Sequence, residues 1–368
     1  MNSMVKLTVV ALLGAALAQA QGQQKGAPPT PPLPCGMQGD AEVICGTRGP
    51  EDLELTPDGK YLIVAQFVTG PGGAGLGSGA NGLFLFDIAQ KTFQKLVATS
   101  EPLADWGDSR CPGPVGEALA PHGTSLVRRL PSNKMQLYVV NHGMRESIEM
   151  FELLRVADTW ELAWHGCVVS TDPYNDVAAL ADGGFIATHP DALTRNAPSD
   201  GKGKQGGANL LTSGQPTGFM VRWARGGEGE LQGTRQGYPN GVVATPDARF
   251  AYYNAWTAKE VHKYDLRLQK DVAVIKLDFM PDNLTFTKKG NLLAAGIKGL
   301  SGDCAGQPCR EGFEVVVLDS GKLGQKKVYD SAGKGALISG VSVALQAGES
   351  VYIGAFQGDR IVKIKWKE

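Results

Sequence analysis

The stretch Pro281-Asp282-Asn283-Leu284-Thr285-Phe286 places a carboxylate and an amide directly before an apolar run. Other stretches put a small oxygen-bearing pair at the same place relative to strand-forming residues. They are Pro50-Glu51-Asp52-Leu53, Pro121-His122-Gly123-Thr124, Tyr174-Asn175-Asp176-Val177, Pro239-Asn240-Gly241-Val242 and Ile338-Ser339-Gly340-Val341. We interpret all of these stretches as equivalent starts of inner strands in a repeated β structure.

A hairpin turn follows most of these starts. Thr56-Pro57-Asp58-Gly59-Lys60 separates strand patterns at 52–55 and 61–67, with proline presetting φ and glycine accepting a positive φ. Similar turn segments occur at 181–184, 245–249, 287–291 and 346–349. A unit repeated on this scale indicates a propeller blade or a solenoid, and the longer spacings between starts imply glycine-rich loops, the largest at 69–82 and 196–218.

Composition favours an all-β chain. The 368 residues are 42% hydrophobic and include 49 Gly and 21 Pro, with no long stretch of helical apolar period. The net charge of −1 excludes a basic nucleic-acid footprint. Because the last repeat ends at the C-terminus with two or three strands, we expect a strand within 41–45 to complete its sheet.

The N-terminus predicts export. Residues 1–20 combine Lys6, an apolar run at 7–17 and Ala18-Gln19-Ala20, which is a secretory signal too short for a membrane span. Residues 21–34 form a proline-rich flexible lead-in, and 35–368 form the folded domain. We expect a secreted or periplasmic protein with disulfides and no membrane span after cleavage. Sequence leaves the pairing open, and Cys304 with Cys309 is the favoured local pair among Cys35, Cys45, Cys111, Cys167, Cys304 and Cys309.

If the repeats close into a ring, several polar side chains meet on its axis. All of them carry oxygen donors and two are carboxylates, which suits a hard cation such as Ca²⁺ and does not suit zinc. This outer set is Glu51, Asn175, Asn240, Asp282 and Asn283. The alternative is that such pairs are simply favoured turn residues.

A second ion site is predicted deeper in the same channel. Consecutive side chains on an extended segment point to opposite faces. Glu51 and Asn175 would therefore face the mouth, while Asp52 and Asp176 face inward. There the Thr124 carbonyl would join them around a structural Ca²⁺; these three residues are the inner set.

Two histidines are candidates for proton transfer. His122 opens the second repeat at the level of the outer set, and His142 ends the next strand, so the pair would hold and deprotonate a water. We assign catalytic roles to His122, His142 and Asp282; the alternative is a pair of structural histidines. The remaining histidines are a weaker rim candidate (His189) and two expected surface residues of outer strands (His165, His262).

Together these motifs resemble the paraoxonases, within the wider gluconolactonase-like group. The resemblance runs from about Glu51 to the C-terminus, with the motifs in the family's order. Besides the pairs above, it is carried by Glu51-Asp52-Leu53-Glu54, Pro121-His122-Gly123-Thr124-Ser125 and Leu137-Tyr138-Val139-Val140-Asn141-His142.

The resemblance implies a six-bladed β-propeller with two axial calcium ions, acting on lactones, aryl esters and sometimes phosphotriesters. It implies that the outer set holds the catalytic calcium, that the inner set holds the structural one, and that His122 and His142 form the proton-handling dyad. Two departures stand out. No cysteine follows Cys309, so ring closure would be noncovalent, and the glycine-rich rim loops differ from the family's lid.

The leading hypothesis is thus a calcium-dependent carboxylic-ester hydrolase acting on a small-molecule lactone or ester. A noncatalytic exported propeller that binds a ligand or protein partner would share the fold and even the calcium. A third possibility is a propeller that condenses amines with aldehydes. The His122/His142 pair distinguishes the hydrolase from the scaffold, which would not need it.

Overall fold

The β-hairpin is the repeating unit of the chain. A computed structural model of the protein describes residues 34–68, 80–98, 103, 105–190, 216–225, 227–299, 312–332 and 337–368. Apart from one turn of 3₁₀ helix at Gly116–Ala118, the regular structure in these ranges is β. The first strands are β1 (Gly36–Gln38), β2 (Ala41–Cys45), β3 (Pro50–Leu55), β4 (Tyr61–Gln66), β5 (Gly82–Asp87), β6 (Thr92–Leu96), β7 (Pro121–Arg128), β8 (Met135–Asn141), β9 (Ser147–Val156), β10 (Thr159–Val169), β11 (Val177–Ala179), β12 (Phe185–His189) and β13 (Phe219–Ala224). The remainder are β14 (Gly227–Glu230), β15 (Pro239–Ala244), β16 (Phe250–Ala255), β17 (Glu260–Asp265), β18 (Lys270–Lys276), β19 (Met280–Phe286), β20 (Leu292–Ile297), β21 (Phe313–Leu318), β22 (Gln325–Asp330), β23 (Val341–Ala347), β24 (Ser350–Ala355) and β25 (Arg360–Lys365).

The described strands form six antiparallel sheets, which are the blades of a β-propeller. Blades 1 to 5 each contain four consecutive strands, beginning with β3, β7, β11, β15 and β19. Blade 6 contains β23, β24 and β25, extended by β2 and β1. The innermost strands contact one another in a closed ring, β3 to β7, β11, β15, β19, β23 and back to β3. The predicted six-bladed all-β fold is confirmed.

The ring closes through the N-terminal strand, as the sequence predicted for residues 41–45. β2 pairs antiparallel with β25, in a register that places Ala41 opposite Ile364. Cys35 and Cys45 form a disulfide within the β1–β2 hairpin, so hydrogen bonds rather than a covalent bond join the first part of the chain to the last. This pairing covers the edge that blade 6 would otherwise expose.

Apolar side chains pack between neighbouring blades. Each of six hydrophobic clusters fills one interface between adjacent sheets. Between blades 1 and 2, for example, Ile63 and Leu85 pack with Leu137 and Leu162, all nearly inaccessible to solvent. The middle strands, such as β4 and β8, carry near-continuous buried runs because both faces of a blade are covered. Polar residues are thereby concentrated at the hub.

Irregular pairing marks the start of most inner strands. The register with the second strand shifts between Pro50 and Asp52 in β3, and between Pro281 and Leu284 in β19. β7, β15 and β23 carry the same irregularity at the same place. A bulge inserts an extra residue and re-aims side chains. Strict alternation, on which the inward and outward assignments were based, therefore does not hold at these positions.

Two sequence expectations for histidines are wrong. His165 and His262 are buried rather than on the surface. His165 lies between two carboxylates, with Nδ1 2.5 Å from Asp105 Oδ1 and Nε2 3.0 Å from Glu152 Oε2. Acidic partners from neighbouring strands and loops compensate for the burial of this polar ring, and sequence periodicity does not reveal them.

The described cysteines form two disulfides, Cys35–Cys45 and Cys111–Cys167. The second ties the segment before β7 to β10 in blade 2. The expected pair of Cys304 with Cys309 lies outside the described residues, as do the signal and all but the last residue of the lead-in predicted for 1–34. Within the described ranges, no helix is both long and apolar enough to span a membrane.

Candidate metal centre and active site

The outer set lies at the hub, at the end where the inner strands begin. Glu51 and Asn240 are the second residues of β3 and β15, and Asp282 and Asn283 are the third and fourth of β19. Asn175 lies two residues before β11. These five residues are only 1% to 6% exposed. Burying so much polarity costs free energy unless the groups find partners, so their contacts indicate what the hub binds.

Side-chain contacts join four members of the outer set in two pairs. The Asn283 amide donates from Nδ2 to Glu51 Oε1 at 2.9 Å, across the hub from blade 5 to blade 1. The Asn240 side chain hydrogen-bonds to the carboxylate of Asp282. Asn175 joins through its backbone, whose carbonyl accepts from Gly123 N at 3.2 Å. The glycine at 241 is required because a β-carbon there would collide with the backbone of Asp282 and Asn283.

Four oxygens of the outer set have no hydrogen-bond partner. They are Glu51 Oε2, Asn175 Oδ1, Asn240 Oδ1 and Asn283 Oδ1, each buried from solvent. A buried acceptor left unpaired costs about 1–3 kcal/mol. One such atom is common in a protein of this size, but four from four different blades would suit a ligand that accepts contacts from all of them.

The electrostatics of the hub would suit a bound cation. Burial raises the pKa of Glu51 well above its usual value, and the charges of Asp52, Asp282 and Asp176 raise it further. Burial raises the pKa of Asp282 to about 8, a shift to which Asp52 adds and which the bond from Asn240 opposes. Carboxylates crowded in this way ionise together only if a positive charge compensates them.

The outer set fits a calcium ion. Two carboxylates and three amide oxygens are the donors that hard divalent cations prefer, and the unpaired atoms are the oxygens themselves. Among the described residues, no group of three or more His, Cys, Asp or Glu side chains is arranged to hold a metal, and the outer set instead relies on amides.

The inner set lies below the outer set along the axis. Asp52 Oδ2 accepts hydrogen bonds from Thr124 N and Oγ1 at 2.7 and 2.8 Å, and Asp176 Oδ2 accepts from Val242 N at 2.7 Å. The structure thus brings Asp52 and Thr124 together through the donor groups of Thr124 rather than its carbonyl. Burial raises the pKa of Asp52 to about 6, with these bonds opposing the shift. Burial, followed by the charge of Asp52, also raises the pKa of Asp176.

His122 and His142 meet beside the outer set, and a third residue extends the pair. His122 Nδ1 lies 3.1 Å from His142 Nε2, and His142 Nδ1 lies 2.6 Å from Glu146 Oε2. His122 Nε2 is 3.6 Å from Glu51 Oε1, longer than a hydrogen bond. Sequence reasoning missed Glu146, for which the only signal was its position four residues after His142.

With Glu146 ionised, the chain of contacts assigns the tautomers of both rings. The Glu146 carboxylate accepts the Nδ1–H of His142, so His142 Nε2 carries a lone pair and accepts from His122 Nδ1–H. His122 Nε2 then carries the remaining free lone pair, and this nitrogen faces the outer set. Burial lowers the pKa of His122 well below its usual value, and His142 adds to the shift. Phe67 stacks on the His122 ring, with the ring centroids 4.8 Å apart, and restricts its orientation.

Side chains missed by sequence reasoning hold the backbone of the outer set. Thr188 Oγ1 donates to the carbonyl of Asn240, Asn254 Nδ2 to that of Asp282, and Ser342 Oγ to that of Glu51, each at 2.6 Å. Each bond crosses from one blade to the next. The hub is therefore braced between blades, and rigid placement of the donors follows.

His189 does not join the two catalytic candidates. Its Nδ1 lies 3.2 Å from the carbonyl of Pro173, and its ring packs against Tyr174 in blade 3 with centroids 4.5 Å apart. These contacts favour a structural role for His189.

No family model matches the sequence, and neither does any curated protein. Among solved structures, a gluconolactonase from Xanthomonas campestris is similar with a TM-score of 0.48 and 14% identity, over 93% of this chain and 99% of that one. A luciferin-regenerating enzyme is similar with a TM-score of 0.49 and 12% identity, over 89% of this chain and 97% of that one. At such low identities and TM-scores the likeness assigns no function, and the fold rests on the strand order described above.

Proposed function

We propose that this protein is a calcium-dependent hydrolase of carboxylic esters, with lactones and aryl esters as its substrates. The observation that carries the proposal is the group of four unpaired buried oxygens beside His122, whose Nε2 lies 3.6 Å from Glu51 Oε1. An ion-binding cradle alone would suit a scaffold protein. An ion-binding group of oxygens beside a neutral, oriented imidazole supplies what ester hydrolysis needs. The bound ion would contact the carbonyl oxygen, and the imidazole would deprotonate water.

The outer set would hold the catalytic ion through Glu51, Asn175, Asn240, Asp282 and Asn283. When bound there, calcium supplies a Lewis acid that polarises the ester carbonyl and stabilises negative charge developing on its oxygen. The inner set, with the Thr124 carbonyl, would hold a second calcium that stabilises the fold. The carboxylates of both sets are ionised in that state.

His122 acts as the general base. Because burial and His142 lower its pKa, the ring is neutral at pH 7 and its Nε2 accepts a proton from water. As His122 becomes positively charged, its Nδ1–H bond to His142 strengthens, and Glu146 holds His142 in the accepting tautomer. His122 then returns the proton to the leaving alkoxide or phenoxide, so acid and base steps use one atom. Asp282 supplies one of the two carboxylates at the reacting centre.

A lactone is the substrate class we favour because it needs no deep channel. Its ring opens in place, and the acyl and leaving groups stay in one molecule, so no separate exit for a leaving group is needed. Aryl esters share the requirement for a single polarised carbonyl and release a weakly basic phenoxide. Neither class needs a serine nucleophile, and the sequence holds no G-x-S-x-G elbow.

The test is turnover of a panel of lactones and aryl esters, measured with calcium, after chelation and after calcium is restored. We expect hydrolysis that chelation abolishes and calcium restores. Hydrolysis that survives chelation would contradict the calcium role. Calcium binding without hydrolysis of any member of the panel would favour the noncatalytic propeller.

We also propose that the protein acts outside the cytoplasm, in a secreted or periplasmic location. The two disulfides support this because such bonds persist in oxidising compartments.

A further inference from the structure

A cavity opens at the end of the hub opposite the outer set. It has a volume of about 380 Å³ and is lined by residues from the inner strands of all six blades. We call it the lower vestibule, because it lies where the inner strands finish. Its lining includes all three residues of the inner set, Asp52, Thr124 and Asp176, and no residue of the outer set.

The inner set is closed off in the other direction. Toward the outer end lie the side chains of the outer set, which are only 1% to 6% exposed. A cation held by Asp52 and Asp176 would have to pass through that set, displacing any ion there, to leave by the outer end. The lower vestibule offers a path that avoids it.

A third carboxylate, Glu54, lines this path. Glu54 Oε1 accepts a hydrogen bond from Leu126 N at 2.9 Å, which fixes the side chain between blades 1 and 2. Within the described part of the chain, no lysine or arginine forms an ion pair with it. Glu54 lies two residues after Asp52 on β3 and lines the same cavity as both carboxylates of the inner set.

The wall around Glu54 is largely apolar, with Leu55, Leu126, Phe286 and Leu345 among the lining residues. A divalent cation that moves past these apolar side chains loses bound water and finds few oxygen ligands to replace it. A carboxylate at an intermediate depth lowers that barrier by replacing part of the lost hydration. Lys288 also lines the cavity, and its positive charge opposes the entry of a cation.

We propose that the inner cation loads and leaves through the lower vestibule, and that Glu54 is the carboxylate that binds it on the way. The proposal rests on the proposed function, since it takes two bound calcium ions as given. It adds that the two ions exchange through opposite ends of the propeller, the outer one at the substrate side and the inner one at the far side.

The test is the rate at which calcium leaves the loaded protein when it is mixed with a fluorescent chelator. Two phases are expected. Asn283→Ala should remove the phase of the outer ion, and Asp52→Ala should remove that of the inner ion, which assigns them. Glu54→Gln should then slow the inner phase about tenfold and leave the outer phase unchanged, since a unit charge near a dication changes a barrier by more than thermal energy.

A matched control removes the same charge from the same face. Glu349 adjoins Gly348 of the vestibule lining, but its side chain is 76% exposed and pairs with Lys367, so Glu349→Gln should leave both phases unchanged. Lys288→Met gives an independent measurement should Glu54→Gln fail to fold, and it should speed the inner phase.

If two release phases are seen and neither Glu54→Gln nor Lys288→Met alters the inner phase, the proposed route is wrong. The proposed hydrolase function would not be affected by that result. Equal effects of Glu349→Gln and Glu54→Gln would also overturn it, since the effect would then be one of general surface charge. Absence of any bound calcium would overturn the proposed function itself.

Discussion

Replacing Asn283 with alanine tests the outer set most sharply, because the structure predicts different effects with and without calcium. In the metal-free protein the substitution removes the bond from Nδ2 to the buried Glu51 side chain, whose raised pKa keeps it neutral, so the bond is worth about 0.5–1.5 kcal/mol. It also removes the unpaired Oδ1, whose burial costs about 1–3 kcal/mol. The two terms nearly cancel, so the metal-free variant should unfold within about 1 kcal/mol of the parent.

With calcium the balance changes, because the variant lacks one oxygen donor of the ion. The calcium-dependent rise in Tm should shrink, since an ion bound only by the folded state stabilises it by mass action. Turnover of a lactone should fall by about 10²–10³, equal to about 3–4 kcal/mol of lost charge stabilisation. Both quantities can be measured on one preparation, by thermal unfolding with and without calcium and by initial rates.

Asn291→Ala is the matched control. Asn291 lies in the same blade, beyond the opposite end of β19, and both ends of its amide are bonded, to Glu368 and to Ser320 N. Its loss should lower Tm equally in the two conditions and leave turnover unchanged. A variant of Asn283 that hydrolyses lactones at the parental rate, or keeps the full calcium response, would refute the assignment of the outer set.

Other perturbations probe the remaining parts of the site. Asp52→Ala should lose part of the calcium-dependent rise in Tm beyond any loss in the metal-free protein; an unchanged calcium response would show that Asp52 does not bind the ion. Glu146→Gln should lower kcat about 10²-fold with little change in KM or in calcium affinity, and Glu146→Asp should recover part of it; equal kcat for the glutamine variant would remove Glu146 from the relay. Because the pKa of Asp282 is raised to about 8 in the metal-free protein, the folded state binds more protons than the unfolded state between about pH 4 and 8, so the free energy of unfolding of metal-free protein should fall as pH rises across that window. Saturating calcium should reduce this fall, and unfolding measurements with the same slope in both conditions would contradict it.

The repeat architecture could be predicted from the sequence because local signals agreed with one another. The turn segments and apolar strands fixed the six inner strands to within a few residues of those observed, and the unfilled edge of the last repeat predicted β2. These features depend on local chemistry and on the need to cover an edge. Each of these features can be recognised from one short segment of sequence.

The candidate site was predicted in composition but not in geometry. Sequence alternation alone cannot bring Asp282 and Asn283 to one axis, because consecutive residues of a regular strand face opposite ways. The bulge between Pro281 and Leu284 removes that conflict, and bulges arise from pairing between strands that the sequence does not display. The prediction of the site rested on residue types, and its geometric reasoning was incomplete.

Residues that act across blades were missed for a similar reason. Glu146, Asn254 and Ser342 sit in segments with no distinctive pattern, and their partners are distant in sequence or lie in a loop. His165 and His262 were misplaced because the acids that pair with them come from other strands and loops. Long-range polar pairing leaves no periodic signal.

The central claim is that oxygens from separate blades hold calcium at the hub. Anomalous diffraction from crystals of the protein grown with calcium, or with a lanthanide in its place, tests it directly. The account predicts one strong peak within bonding distance of Glu51, Asn175, Asn240, Asp282 and Asn283, and a second beside Asp52 and Asp176. A hub without an anomalous peak, with these oxygens bonded to one another or to water, would contradict it.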